Sequence, residues 1–300
     1  MRISSSPLAV AVFGMLGLLA SARIAHAGEY AAVGKDLKLF YEQAGRGAPV
    51  VFIPGWTMST EVFSQQLAYF GKRFRAIAYD PRSQGRSTKT PEDNDYSQRG
   101  KDLKAFLDVL GIQEVVLVGW SNGCYDAYSF ARTFGTKRLR AFVCIDQVPQ
   151  PPDPSGCAQR DQWFGEGWRR TAHDRREDVA RLARWMVLHD LKQQELEWIE
   201  EQALRTPTYA ALVTKVDARF SDFSPEARAM DGAIPVLHVI RQERSESVRA
   251  WLRQNTPKAE VAALGGHMMF WEQPAEFNAV LEDFLSRHLA PGSRGGSLEQ

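Results

Sequence analysis

Residues 119–123 place a serine, Ser121, at the centre of a G-x-S-x-G pattern. The preceding residues, 114–118, form a mostly apolar run typical of a strand, and residues 124–134 are compatible with a helix. A serine on such a strand-to-helix turn exposes its hydroxyl, and the strained turn tolerates only very small residues two positions before and after it. The N-terminus of the following helix offers backbone N–H groups to a developing oxyanion. The pattern therefore predicts that Ser121 is a catalytic nucleophile.

A general base for Ser121 must come from elsewhere in the chain, and His267 fits this role best. It follows the last predicted strand, residues 259–264, and the paired glycines Gly265 and Gly266 let its loop approach a neighbouring backbone closely. The chain has six histidines. The others fall in the N-terminal segment, in charged helical patterns or within a strand: His26, His173, His189, His288 and His238.

The third member of such a triad is a carboxylate, which holds the second imidazole nitrogen and stabilises the cationic ring. Acids of this kind stand just past the C-terminus of a strand. Two residues meet that condition: Asp146 ends the predicted strand 139–145, and Glu243 lies just beyond the predicted strand 234–240. The residues alone leave both candidates open.

An oxyanion hole needs backbone N–H donors close to the nucleophile. Asn122 follows Ser121 directly, and Trp56 follows a Pro-Gly pair at the end of an earlier predicted strand. We expect the amides of Asn122 and Trp56 to be these donors. Apolar side chains in the same loops predict a pocket for an apolar substrate, formed by Met58, Trp120 and Met268.

Short β-rich runs alternate with longer helical patterns along the chain. This order predicts an α/β fold, in which a mostly parallel sheet is covered by helices on both faces. The spacing of apolar residues predicts helices over 97–110 and 274–289. A hairpin is predicted at 30–44, and the further strands are predicted at 49–53, 74–79, 114–118, 139–145, 234–240 and 259–264.

One long segment interrupts this alternation. Residues 147–232 contain no strand-like run and begin with a proline-rich stretch, so they predict a helical cap inserted into the core domain of residues 28–146 and 233–290. The tail, residues 291–300, is rich in Gly and Ser and is predicted to be disordered. The cap carries four tryptophans, which suggest further apolar contacts with a substrate: Trp163, Trp168, Trp185 and Trp198.

Residues 1–27 have the pattern of a cleaved signal peptide. Arg2 provides a positive charge, residues 8–20 are apolar and uncharged, and residues 25–27 (Ala-His-Ala) are suited to a signal peptidase. The apolar run is short for a membrane span, which needs about 20 residues. We therefore expect a periplasmic or secreted protein with no stable membrane span.

Composition excludes several other classes of protein. The 37 basic and 36 acidic side chains nearly balance, so nothing indicates a nucleic-acid-binding surface. No zinc-protease, clustered-cysteine or P-loop pattern is present, so neither a metal nor another cofactor is expected. Cys124 and Cys144 lie in apolar runs and are interpreted as buried thiols, so a disulfide that involves them or Cys157 is not expected.

From about residue 37 to residue 289 the chain resembles the α/β-hydrolase superfamily, and within it small esterases and cofactor-free haloperoxidases. Residues 54–56 occupy the position of the family's His-Gly oxyanion motif, residues 80–87 resemble its D-x-R-G-x-G-x-S loop, and residues 267–274 resemble its Gly-His…Glu-x-Pro segment. The resemblance implies an eight-stranded sheet. Two positions depart from the family pattern: Pro54 replaces the usual His, and Ser83 replaces a usual Gly.

The resemblance also bears on the third triad member. The family's usual acidic position after the penultimate strand falls on Arg244, with Glu243 one residue away. In some branches the acid instead follows the preceding strand, where Asp146 stands. The resemblance therefore favours Asp146 as the partner of His267 and keeps Glu243 as the alternative.

The resemblance implies a serine hydrolase that cleaves a carboxylic ester or lactone of an apolar small molecule. A serine nucleophile disfavours dehalogenase and epoxide-hydrolase chemistry, which uses Asp in related folds. The alternatives are a cofactor-free haloperoxidase or perhydrolase, and a ligand-binding receptor with slow turnover. Relatives with peroxidase activity tend to carry Pro after the oxyanion Trp, whereas Thr57 stands here.

Overall fold

The structure, a computed structural model, describes residues 28–149 and 157–289; of residues 157–164 it describes the backbone alone. The predicted signal peptide, the predicted tail and the proline-rich start of the cap lie outside the described residues.

Short 3-10 helices lie at Thr60–Phe63 and Gln242–Arg244. The other elements are, in chain order, β1 (Glu29–Ala32), β2 (Lys38–Ala44), β3 (Pro49–Ile53), α1 (Ser64–Phe70), β4 (Arg75–Tyr79), α2 (Tyr96–Val109), β5 (Val115–Trp120), α3 (Gly123–Phe134), β6 (Leu139–Ile145), α4 (Cys157–His173), α5 (Arg175–Met186), α6 (Gln193–Leu204), α7 (Thr208–Phe220), α8 (Ser224–Met230), β7 (Val236–Ile240), α9 (Ser245–Asn255), β8 (Glu260–Ala263), α10 (Met269–Glu272) and α11 (Pro274–Leu289).

The eight strands described form one sheet in the order β1-β2-β4-β3-β5-β6-β7-β8. Every neighbouring pair from β4 to β8 is parallel, whereas β2 is antiparallel to both β1 and β4. This confirms the predicted eight-stranded, mostly parallel sheet with flanking helices. Each predicted strand is present, and its ends differ from the prediction by at most two residues.

The sheet is covered on both faces, because successive residues of its central strands belong to two different hydrophobic clusters. In β3, Val50 faces the cluster that includes α1 and α11, and Val51 faces the cluster that includes α2 and α3. Full burial of such a side chain contributes about 1.5–3 kcal/mol to folding. Cys124 and Cys144 are free thiols buried in the second cluster, and the side chain of Cys157 lies outside the described residues.

Between β6 and β7 the described residues form five helices, α4 to α8, and no strand. This is the helical character that the sequence predicts for a cap. Val179 and Ala183 of α5 and Ile199 of α6 are buried in the same cluster as Val50, so these two helices pack directly on the sheet domain. Within residues 28–149 and 157–289, no helix is both long and apolar enough to span a membrane.

The C-terminal ends of the parallel strands β3, β5, β6, β7 and β8 meet at one edge of the sheet. Ligands of open α/β sheets bind outside this edge. The loops that follow these strand ends carry four residues predicted from the sequence and one that was not: Trp56, Ser121, Asp146, His267 and Arg241.

Candidate active site

Ser121 lies on a strained turn between β5 and α3. Its φ angle is 52°, in the left-handed region that costs a residue with a side chain about 1–3 kcal/mol. The flanking glycines are required by space, since a Cβ on Gly119 would lie 2.7 Å from backbone atoms of α3, and one on Gly123 would lie 2.3 Å from the carbonyl oxygen of Ile53. The amide of Ser121 donates to the carbonyl of Ile145, which fixes the turn to β6. This is the geometry expected of a nucleophile elbow.

The loop after β3 lies directly beside the nucleophile. A Cβ on Gly55 would lie 3.2 Å from the Cβ of Ser121, so the backbone approaches the serine as closely as packing permits. Among the hydrogen bonds of the described residues, none uses the amide of Trp56 or of Asn122 as donor. Thr57 follows in the left-handed region, with φ at 64°. The two predicted oxyanion donors therefore belong to turns that are adjacent in space.

Gln84, which the sequence did not indicate, holds this loop. Its Nε2 donates to the carbonyl oxygens of Gly55 at 3.0 Å and Met58 at 2.7 Å, and its Oε1 accepts from Nη1 of Arg99 at 2.8 Å. Arg99 also donates to both carboxylate oxygens of Asp126 on α3, at 2.6 and 2.7 Å. All three polar side chains are buried. The network thus connects the loop after β3 with the helix that begins behind the nucleophile.

His267 is buried, with 5% of its surface exposed. Its Nδ1 lies 2.5 Å from Oδ2 of Asp146. Nε1 of Trp120 donates to the carbonyl oxygen of His267 at 2.8 Å, and the two rings are 5.3 Å apart. Because Trp120 directly precedes Ser121, this bond fastens the imidazole loop to the nucleophile turn. With Nδ1 engaged by the carboxylate, Nε2 is the ring nitrogen left for proton transfer.

Asp146 follows β6 immediately and takes a left-handed conformation, with φ at 48°. Its amide donates to the carbonyl of Val239 at 2.8 Å, which continues the pairing of β6 with β7. Burial raises the pKa of Asp146, but the hydrogen bond with His267 and the charges of His267 and Arg241 outweigh burial and lower that pKa below its ordinary value. The carboxylate is therefore ionised where it faces the imidazole.

Glu243, the alternative partner, lies in the 3-10 helix Gln242–Arg244 with its side chain exposed. Arg244, at the family's usual acidic position, is also exposed. Of the two candidate carboxylates, the structure brings Asp146 to the imidazole and leaves Glu243 outside.

Burial is the main cause that lowers the pKa of His267 below its ordinary value. The hydrogen bond and charge of Asp146 act in the opposite direction, and the charges of Arg241 and Arg244 lower the pKa further. The imidazole is therefore neutral near pH 7, which is the state that a general base requires.

Arg241, a second residue that the sequence did not indicate, lies just past β7 and is 4% exposed. Its Nε donates to Oδ2 of Asp146 at 2.7 Å, and its amide donates to Oδ1 at 3.1 Å. Its Nη2 lies 3.3 Å from Nδ1 of His267. An arginine after a strand carries no local signal for this role, because its partners are 95 and 26 residues away in the chain.

Helix α5 packs against the imidazole of His267 through Trp185. The ring of Trp185 lies 4.8 Å from the ring of His267 and 4.2 Å from the guanidinium of Arg241. The carbonyl of Met186 accepts a hydrogen bond from the amide of Met268 at 3.0 Å. Trp185 is 52% exposed, so one side of its indole faces solvent while the other covers the site.

Three side chains that were predicted to bind substrate are buried in the core cluster beneath the site: Met58 (1% exposed), Trp120 (1%) and Met268 (0%). Their burial in the core cluster favours a packing role over the predicted contact with substrate. Trp56, by contrast, is partly exposed, and its indole N–H donates to the carbonyl of Ala211 on α7 at 2.9 Å.

The sequence profile of the Alpha/beta hydrolase family matches residues 50–280, a range that contains every one of these strand ends. The chain belongs to the alpha/beta hydrolase family. The elbow, the imidazole loop and the sheet order described above are thus the family's architecture in this chain.

Individual α/β-hydrolases are similar to the chain to different extents. The AB hydrolase superfamily protein YisY of Bacillus subtilis is 25% identical over 267 residues, which are 86% of this chain and 98% of that protein. The non-heme chloroperoxidase CPO-A1 of Kitasatospora aureofaciens is 34% identical over 114 residues, which are 38% of this chain and 42% of that protein. The solved structure of an esterase (EaEST) from Exiguobacterium antarcticum has a TM-score of 0.79 and 17% identity, and the match covers 87% of this chain and 100% of that chain. This last likeness is one of fold alone.

Both departures from the α/β-hydrolase pattern are accommodated. Ser83, where the family usually has Gly, has a φ of 63°, and its Oγ accepts from the amide of Thr90 at 3.0 Å. Pro54, where the family usually has His, is buried. Its carbonyl oxygen would lie 2.8 Å from a Cβ on Gly123, so the oxyanion loop packs against the nucleophile turn.

Gly123→Ala is expected to destabilise the protein, because the new Cβ would overlap the carbonyl oxygens of Ile53 and Pro54. Overpacking of this kind lowers the free energy of unfolding by about 1–3 kcal/mol. The control is Gly165→Ala on α4, where no atom outside the local helix backbone lies within 4 Å of the added Cβ, and it should leave the free energy unchanged or raise it by about 0.5–1 kcal/mol. Urea unfolding of the two variants measures the difference; equal stabilities would contradict the packing described.

Proposed function

We propose that this α/β-hydrolase cleaves carboxylic esters or lactones of apolar small molecules, with Ser121, His267 and Asp146 as its catalytic triad. The observation that carries the proposal is the 2.5 Å contact between Nδ1 of His267 and Oδ2 of Asp146, in a loop tied by Trp120 to the strained turn of Ser121. A neutral, buried imidazole held by an ionised carboxylate, in a loop bonded to the residue before the serine, is the arrangement expected of the general base that activates a serine.

In the acylation step, Nε2 of His267 takes the proton of Ser121 as Oγ forms a bond to the substrate carbonyl carbon. The carbonyl oxygen becomes an oxyanion, which the amides of Trp56 and Asn122 stabilise. The imidazolium then gives its proton to the leaving alkoxide as the carbon–oxygen bond of the ester breaks. Loss of one oxyanion donor raises the barrier by about 3 kcal/mol.

In the deacylation step, His267 takes a proton from water as the water oxygen attacks the acyl carbon. The imidazolium then returns a proton to Oγ of Ser121 as the bond between the acyl carbon and Oγ breaks and the acid is released. Throughout, Asp146 holds Nδ1–H and stabilises the imidazolium without accepting its proton. The indole of Trp185 above His267 and the partly exposed Trp56 support a substrate with an apolar acyl or alcohol group.

A second candidate function, cofactor-free halogenation or perhydrolysis, is suggested by the similarity to a non-heme chloroperoxidase. The backbone at Thr57 argues against it. Thr57 has a φ of 64°, which proline cannot adopt because its ring fixes φ near −65°. The conformation of this loop therefore differs from that of a loop with Pro at this position.

A halogenation assay with hydrogen peroxide, bromide and acetate separates the two functions. Because of the Thr57 conformation, we expect ester hydrolysis to exceed halogenation, and the measurement is the ratio of the two rates for one enzyme preparation. Halogenation as fast as hydrolysis of the preferred ester would favour the second function.

Substitution of the triad tests the main proposal with p-nitrophenyl esters of increasing acyl length. Ser121→Ala should abolish turnover, and Asp146→Asn should lower kcat by about 10³–10⁴-fold, because the imidazole would lose its preferred tautomer. Glu243→Gln is the matched control, since that carboxylate is exposed, and it should retain wild-type activity. Retained turnover in purified Ser121→Ala would refute the proposal. Loss of activity in Glu243→Gln but not in Asp146→Asn would assign the role of the triad acid to Glu243 instead.

The pH dependence of kcat/KM tests the assignment of His267. Only the neutral ring accepts a proton, and burial lowers its pKa, so kcat/KM should fall as pH falls with a midpoint below about 6.5. The same lowered pKa makes the fold less stable as pH falls, so circular dichroism at each pH must establish that the protein is folded. A midpoint above the ordinary histidine value would contradict the assignment.

A further inference from the structure

Arg241 is a buried cation in contact with both the imidazole and the carboxylate of the proposed triad. Its side chain is 5% exposed, and Arg241 donates to both oxygens of Asp146, through Nε to Oδ2 and through its own backbone amide to Oδ1. A buried arginine is stable only where its charge is paired and its N–H groups are bonded. Here the pairing partner is the residue that His267 also uses.

These contacts fix the rotation of the carboxylate. Oδ1 accepts from the amide of Arg241, and Oδ2 accepts from Nε of Arg241 while it contacts Nδ1 of His267. A carboxylate held by donors on both oxygens cannot turn about its terminal bond without breaking at least one of them. Oδ2 is therefore kept on the side of the imidazole.

The contact of Arg241 with the imidazole has a consequence for the tautomer. A guanidinium only donates hydrogen bonds. Nη2 of Arg241, 3.3 Å from Nδ1 of His267, can therefore bond to Nδ1 only if that nitrogen carries no proton. The carboxylate of Asp146 accepts a hydrogen bond from Nδ1 only if that nitrogen carries a proton. The position of this carboxylate therefore decides which tautomer of His267 forms. The arginine that orients the carboxylate thus selects a protonated Nδ1 and leaves Nε2 as the acceptor.

The charges around His267 have opposite effects on its pKa. Asp146 at the end of β6 favours the imidazolium, whereas Arg241 at the end of β7 and Arg244 in the following 3-10 helix disfavour it. From the cap side, α5 contributes the uncharged ring of Trp185. Removal of the Arg241 charge should therefore raise the pKa of His267.

The cap holds the guanidinium in place. The guanidinium lies over the ring of Trp185, 4.2 Å from its centroid, and the negative face of an indole attracts a cation. The carbonyl of the next residue, Met186, binds the amide that follows His267. Helix α5 therefore contacts both Arg241 and the imidazole loop.

We propose that Arg241 is a positioning residue of the triad: it orients Asp146 toward Nδ1 of His267, while Trp185 of the cap holds it in place. The proposal rests on the proposed function. It adds to the family's architecture a basic side chain at the strand end where the resemblance places the acid.

Three variants of the full chain separate positioning from mere packing. Arg241→Met removes the charge and keeps the length, and the backbone bond to Oδ1 remains. Arg241→Lys keeps the charge and loses the planar fork that reaches Oδ2 and stacks on the indole. Arg253→Met is the matched control, since Arg253 lies exposed on α9.

Each variant is assayed for kcat and KM on the preferred p-nitrophenyl ester, for the pH midpoint of kcat/KM, and for the pKa of His267 by NMR titration of the imidazole. We expect Arg241→Met to lower kcat by about 10²-fold with little change in KM, because a misplaced carboxylate misplaces the base. The pH midpoint and the NMR pKa should both rise, because the guanidinium charge that disfavours the imidazolium is removed. Arg241→Lys should lose rate but keep the wild-type pKa, and Arg253→Met should match the wild type.

A purely structural role would lower the folded fraction in urea unfolding without moving the pKa of His267. Wild-type kcat with an unshifted pKa in folded Arg241→Met would overturn the proposal. Failure of the proposed function gives a different result: the wild type would hydrolyse no ester and its Ser121 would resist a fluorophosphonate probe. Even in that case, the NMR titration measures the effect of Arg241 on the pKa of His267.

Discussion

The hydrogen bond between His267 and Asp146 is the constraint on which the rest of this site depends. It joins the loops after β6 and β8, which are not neighbours in the sheet, across the end of β7 that lies between them. Its 2.5 Å separation requires that both loops stay fixed. The left-handed backbone at Asp146 and the bond from Trp120 to the imidazole loop supply that fixation. A low-dielectric setting strengthens such a bond and makes an unpaired partner costly.

The acid and its neighbouring cation occupy adjacent strand ends. The register pairs Ile145 with Val239, so the residues that leave the sheet next to each other are Asp146 and, two positions beyond Val239, Arg241. Where the family's usual acid would follow β7, this chain carries a basic residue that binds the acid on β6. In this chain the carboxylate that contacts the imidazole therefore follows β6.

Patterns local in the sequence were sufficient for much of this description. The elbow around Ser121, the strands, and the glycines before His267 are each set by a few consecutive residues, and all were predicted. Gln84 and Arg241 were not, because their partners lie far away in the chain and a single polar residue has no periodicity. Trp185 was predicted only as an apolar contact for a substrate, and its contacts with His267 and Arg241 were not foreseen. The structure does not support the substrate-binding role predicted for Met58, Trp120 and Met268, because these side chains are buried in the core cluster. Large apolar side chains have the same sequence signature in a core and in a pocket.

The position of the cap in the chain bears on how such a protein diversifies. The insertion leaves the sheet after Asp146 and returns before β7, and the two ends are held together by the pairing of β6 with β7. The entropy lost on closing a loop grows only with the logarithm of its length, so each doubling of the insertion costs about 0.6 kcal/mol. Helices other than α5, which contacts Arg241 and the imidazole loop, can therefore be lengthened, shortened or exchanged between these two strands while the charge pair at their ends persists. Variation in those helices would then alter the cap without disturbing the contacts of Asp146 with Arg241 and His267.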